Sequence, residues 1–174
     1  MSRLLIVAVG NPLRGDDGVG WHIAEALRSG FPDSQVELVE IVACHQLTPE
    51  LADRVRQART VIFVDAALDL LPGQIELSAI SASEGHHTKL SHALTPRVLL
   101  ALTQELYGTL TAESFLLKIG GSSFEVSADL SEPVQRSIPA AVERIQQILE
   151  PRMDATTGVL EAGERTAKTA DPLR

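Results

Sequence analysis

Three carboxylates and one imidazole stand out by type and position in this 174-residue chain. Asp16 and Asp17 follow the stretch Gly10-Asn11-Pro12-Leu13-Arg14-Gly15, Asp65 closes the apolar run VIFV, and His92 sits in KLSHALTP. Two carboxylates with an imidazole leave open positions on a bound metal, and such a mixed oxygen and nitrogen set suits Ni²⁺, Zn²⁺ or Mn²⁺. Each residue also has a plainer reading. Acids at a helix start act as caps favoured by the helix dipole. A strand-end Asp can cap the next turn, although burying it without a partner is costly. Of Asp16 and Asp17, one is expected to cap and the other to point into a site. Cys44-His45 forms a further candidate pair, with a small buried hydrophobe as the plainer reading of Cys44. His86 and His87 have Glu84, Gly85 and Thr88 around them and read as solvated.

Two other chemistries find no support. Glycines 10, 15, 18 and 20 resemble a phosphate cradle. A P-loop, however, needs a Lys after its glycines, where this chain places Asp16 and Asp17, which would repel phosphate. No Gly-x-Ser-x-Gly elbow occurs, so a Ser-His-Asp arrangement has no anchor.

These residues must be held by elements that the hydrophobic pattern makes visible. Leu4–Val9 and Thr60–Val64 are short apolar runs that read as buried parallel strands, and Val36–Val42 reads as a second strand. Gln74–Ile80 alternates and reads as an edge strand, and Phe115–Ile119 as a fifth strand. Helices are expected after Asp17, from the cap signal Thr48-Pro49-Glu50 to about Ala58, and from Thr95-Pro96. A last helix is expected to end near Leu149 and to be interrupted or delayed by Pro139. The alternation implies a three-layer α/β/α sandwich with a mostly parallel, twisted five-stranded sheet. Residues 1–150 read as one domain and 151–174 as a flexible, dispensable C-terminal tail without apolar periodicity. In open α/β sheets ligands bind outside the carboxyl ends of the strands, where Asp17, Asp65 and the His92 segment would meet.

Composition narrows the function further. The net charge is −8, which argues against a duplex nucleic-acid binder. The tail holds four basic and four acidic residues, so the whole excess lies on residues 1–150. One cysteine excludes an internal disulfide and a four-Cys zinc site, and fits a cytoplasmic location. No run approaches a membrane span or a secretory signal. Six aromatic residues leave few platforms for stacking bases.

The opening LLIVAVGNPLRGDDGVG resembles the hydrogenase maturation endopeptidases, which carry a Gly-Asn-x-Leu-x-x-Asp-[Asp/Glu]-x-x-Gly loop after the first strand. VIFVDAA and KLSHALTP match the family's second and third elements, so the resemblance runs over about residues 3 to 150. It implies an α/β sandwich and an enzyme that removes the C-terminal extension of the [NiFe] hydrogenase large-subunit precursor after nickel insertion. It implies Asp17, Asp65 and His92 as ligands of a divalent metal. That metal is nickel supplied by the substrate, for which zinc or cadmium could substitute. Either the metal activates the water as a Lewis acid, or the nickel is a recognition handle and Asp16 or Glu40 positions the water; Asn11, Cys44 and His45 would face the substrate. The chain departs from many members after strand two, where IVACHQLTPE replaces a Gly-Gly-Thr/Ser-x-Gly loop. That difference bears on the partner hydrogenase. The expected protein is a monomer that touches neither membrane nor nucleic acid. Two alternatives use the same residues or scaffold: a non-catalytic nickel-binding chaperone or docking module, and a nucleoside hydrolase or phosphorylase.

Overall fold

The computed structural model describes residues 4–32, 38–82 and 94–167. The expected strand start at Val36, the histidines His86, His87 and His92, and the last seven residues lie outside the described residues. Five strands form one sheet: β1 (Leu4–Val9), β2 (Val39–Cys44), β3 (Thr60–Ala67), β4 (Ile75–Ile80) and β5 (Glu113–Gly120). Their order is β2-β1-β3-β5-β4, with all pairs parallel except β4 with β5. The helices are α1 (Val19–Gly30), α2 (Leu51–Gln57), α3 (Pro96–Tyr107) and α4 (Glu132–Ala167), and a 3-10 turn over Gly15–Gly18 leads into α1.

The period of two in each strand sends side chains to two separate cores. Leu4, Ile6, Ile62, Val64, Leu117 and Ile119 pack with Ile23 and Leu27 of α1 and Ile145 and Leu149 of α4. Leu5, Val7, Val61 and Phe63 pack on the other face with Leu51 and Val55 of α2 and Leu99 and Leu100 of α3. Helices therefore cover both faces of a mostly parallel sheet, as the alternation of apolar runs requires.

Several boundaries differ from the sequence reading. β2 runs to Cys44, so Cys44 ends a strand rather than opening a loop. β3 continues to Ala67, which places Asp65 inside the strand. The start of α2 carries no side-chain cap; Leu51 and Ala52 donate their N–H groups to the carbonyls of Thr48 and Pro49. At α3 the cap signal is realised, since the Thr95 hydroxyl accepts from the Val98 N–H at 3.4 Å. α4 begins at Glu132 and runs through both Pro139 and Pro151 to Ala167, past the expected end near Leu149. Each Pro withdraws one helical donor, but around Pro139 the burial of Val134, Ala141, Ile145 and Leu149 outweighs that loss.

The sheet's carboxyl edge is assembled by close approach. Gly20, in the first turn of α1, lies over the ends of β1 and β3. A Cβ there would stand 2.9 Å from the Val9 carbonyl oxygen and 3.3 Å from that of Val64. Gly20→Ala is expected to lift the start of α1 and to cost about 2 kcal/mol of stability by overpacking. Denaturant unfolding of the variant against the wild type measures it.

Candidate functional site

Strand register sets the level of the site. Val9 pairs with Cys44 of β2, and Ala8 pairs with Val64 of β3. Asp65 is one step beyond that last pair, so Cys44, Val9 and Asp65 stand level on three adjacent strands. Asp65 also continues the row of Val61 and Phe63 on the α2/α3 side.

The chain then turns sharply. Gly10 takes φ +132°, and a Cβ on it would lie 1.9 Å from the Asp17 carbonyl oxygen, so only glycine fits. The Gly10 N–H donates to the Cys44 carbonyl at 3.0 Å, tying the turn to β2. The Asn11 N–H donates to Asp17 Oδ2 at 2.9 Å. The Asn11 side chain closes its own turn, with Oδ1 accepting from the Leu13 N–H at 2.9 Å. The 3-10 turn carries Asp17 back over the strand ends, half-buried.

Asp17 and Asp65 face each other electrostatically. Burial pushes the Asp65 carboxyl up to about 6, the Asp17 charge adds to the rise, and the Ala66 N–H pulls the other way. The Cys44 thiol is pushed above its ordinary value, first by burial and then by the Asp65 charge. Cys44 is therefore a neutral thiol near neutral pH. His45, the exposed residue after β2, packs against the Trp21 ring of α1, with centroids 5.7 Å apart. The Trp21 Nε1–H donates to the Gly10 carbonyl at 2.8 Å. Asp17, Asp65, Cys44, His45 and Asn11 thus meet at the edge of β1, β2 and β3.

Asp16 and Glu40 do not join them. Neither Asp16 nor Asp17 caps α1, whose N-terminus makes no side-chain cap bond. Asp16 is fully buried and is committed to the loop between β5 and α4. Its Oδ2 accepts from the Ser122 and Ser123 N–H groups at 2.7 and 2.9 Å and from the Ser131 hydroxyl at 2.8 Å. Its Oδ1 accepts from the Ser131 N–H at 2.7 Å. Burial alone would raise this carboxyl, but these donors outweigh it and hold it below the ordinary value. Glu40 is the second residue of β2 and pairs in register with Leu5, four residues before Cys44 and so about 13 Å down the strand. There it bonds Arg54 of α2. His92 lies outside the described residues. Among the described residues no three His, Cys, Asp or Glu side chains are grouped to hold a metal ion. Asp17 and Asp65 supply two oxygen donors, the kind of set that suits a borderline divalent cation once a third ligand is added.

Trp21 and the serines of the β5–α4 loop were not singled out by the sequence reading. The single Trp, placed directly after Gly20, was the available signal.

The fold has close parallels among solved structures. The hydrogenase maturating endopeptidase HybD from E. coli superposes with a TM-score of 0.67 at 23% identity, covering 86% of this chain and 93% of that one. A hydrogenase 2 maturation peptidase from a Thaumarchaeota archaeon matches at 26% identity and a TM-score of 0.62, over 86% of this chain and 99% of its own. The [NiFe] hydrogenase maturation protease HycI from Thermococcus kodakarensis gives 0.67 at 20% identity, over 86% and 93%. The chain shares the fold of these proteins. No protein-family model matches the sequence, and no curated protein matches it.

The two carboxylates have opposite effects on stability. Asp16 titrates lower in the fold than in the unfolded chain, so its contribution is present above its ordinary value of about 3.9 and is lost as pH falls through the lowered value. Asp16→Ala leaves buried N–H donors unpaired and is expected to cost on the order of 3 kcal/mol at pH 7, read by denaturant unfolding. Asp65 titrates higher, so its ionisation costs stability as pH rises from about 3.9 to about 6. Asp65→Asn is expected to be more stable than wild type at pH 8, with the difference gone at pH 4. Thermal unfolding across that range checks the sign.

Proposed function

We propose that this chain is an endopeptidase that removes the C-terminal extension of the [NiFe] hydrogenase large-subunit precursor after nickel insertion. The observation that carries the reading is the facing pair Asp17 and Asp65, held at the carboxyl edge of the sheet in the fold of the hydrogenase maturation peptidases. The resemblance of GNPLRGDDGVG to the loop after the first strand of that family, with Asp17 matching its acidic residue, supports the reading.

The nickel belongs to the substrate. Asp17 and Asp65, with His92, grip an ion already held by the thiolates of the precursor. The electrostatics of the site support this division of labour. Burial, with a smaller contribution from the Asp17 charge, favours a proton on Asp65 up to about pH 6. Near neutral pH Asp65 is charged at a cost, and a divalent cation, which favours the ionised pair, offsets that cost. A precursor without nickel offers no such compensation, which accounts for a protease that waits for the metal. Cys44, kept neutral, does not compete with the substrate thiolates.

Peptide hydrolysis also needs a positioned water. Asp16 is occupied by four hydrogen bonds and Glu40 is distant, so the water is served by the Asp17–Asp65 pair itself or by the nickel acting as a Lewis acid. Asn11, Cys44 and His45 line the rim where the extension would lie. No helix among the described residues is long and apolar enough to cross a membrane.

Cells expressing Asp17→Asn or His92→Ala are expected to accumulate unprocessed large subunit, visible as a slower band on a gel, while each variant protein stays folded. Normal processing in both would contradict the site. Binding of nickel-loaded precursor without cleavage by the wild type would instead indicate a docking module.

A further inference from the structure

One peptide unit at the site is held at both ends. Its carbonyl, from Gly10, accepts the Trp21 indole N–H at 2.8 Å, and its N–H, from Asn11, donates to Asp17 Oδ2 at 2.9 Å. The unit follows a glycine at φ +132°, the residue type that offers least resistance to rotation of the adjoining peptide plane. A flip would turn the carbonyl oxygen towards Asp17 and replace attraction by repulsion. Apart from the indole bond, the plane is restrained by the turn around it, through the Arg14 N–H on the Asn11 carbonyl.

We propose that Trp21 is a positioning residue for Asp17. It locks the Gly10–Asn11 peptide plane so that its N–H aims the Asp17 carboxylate across the strand ends towards Asp65. A donor on the carbonyl also polarises the amide and strengthens its N–H as a donor, because hydrogen bonds in a chain reinforce one another. His45 packs against the indole and steadies its plane, which links the residue after β2 to the same carboxylate. Trp21 touches neither substrate nor reacting atoms in this role; it acts through the peptide. The inference rests on the proposed function only in treating Asp17 as a working residue.

The chain contains a single Trp, so its indole proton gives one resonance in an NMR spectrum. In the wild-type protein that proton is expected to exchange slowly with solvent. An indole proton exchanging at the rate of free tryptophan would overturn the proposal, whatever any variant does. Trp21→Phe keeps an aromatic ring and removes the donor. It is expected to remain folded, to speed exchange of the Asn11 amide about tenfold, and to lower kcat for precursor cleavage by a similar factor with KM changed less than about twofold. Wild-type Asn11 exchange in a folded Trp21→Phe protein would also overturn it, since a packing role alone leaves that amide unmoved. Faster Asn11 exchange in a protein that cleaves no precursor would support the clamp and contradict only the proposed function.

Discussion

The Asp16 carboxylate fastens the turn that carries Asp17 to the loop between β5 and α4. It is a fully buried anion with four donors, three of them backbone N–H groups of Ser122, Ser123 and Ser131. An ionised group in that position is tolerable because every bond it accepts is charge-assisted. In return the β5–α4 loop cannot drift from the turn that follows β1. Backbone bonds run along the same seam, from Gly15 to Ser127, from Asp16 to Ser123 and from Ser127 to Leu13. The adjacent Asp17 inherits a fixed backbone and has only its side chain left to orient.

Against this firmly held frame, Asp65 is destabilised. It ends up charged near neutral pH in a place that favours its neutral form, beside another carboxylate. An amide in its place would relieve that cost. A cost of this kind at a strand's carboxyl edge is a pointer to a binding site, as the proposed function takes it. Under the proposed function, the cation that relieves this cost would be the nickel of the substrate.

Much of this was legible in the sequence because it is local. Mainly apolar segments marked the four parallel strands, alternation marked the antiparallel edge, and the strand-end rule singled out Asp17, Asp65 and the His92 segment, the first two of which lie at the sheet's carboxyl edge. What was not legible depends on distance or on compensation. Asp16 and its serines are more than 100 residues apart in the chain, and no short pattern joins them. As a result, a structural anion read as a candidate catalyst. Glu40 was misplaced because β2 ends at Cys44, two residues later than the expected end at Val42. Pro139 signalled an interruption that the helix does not show, since propensity yields to the burial of Ala141, Ile145 and Leu149. Trp21 carried no motif. Its role appears only when the indole is seen on the Gly10 carbonyl.

The central claim is that the Asp17–Asp65 pair answers to nickel carried by the substrate. Its most direct test is intact-mass spectrometry of purified large-subunit precursor, with and without nickel, after incubation with this protein alone. The account predicts loss of the C-terminal extension from the nickel-loaded precursor and an unchanged mass for the nickel-free one. Equal cleavage of both, or cleavage of neither, would contradict it.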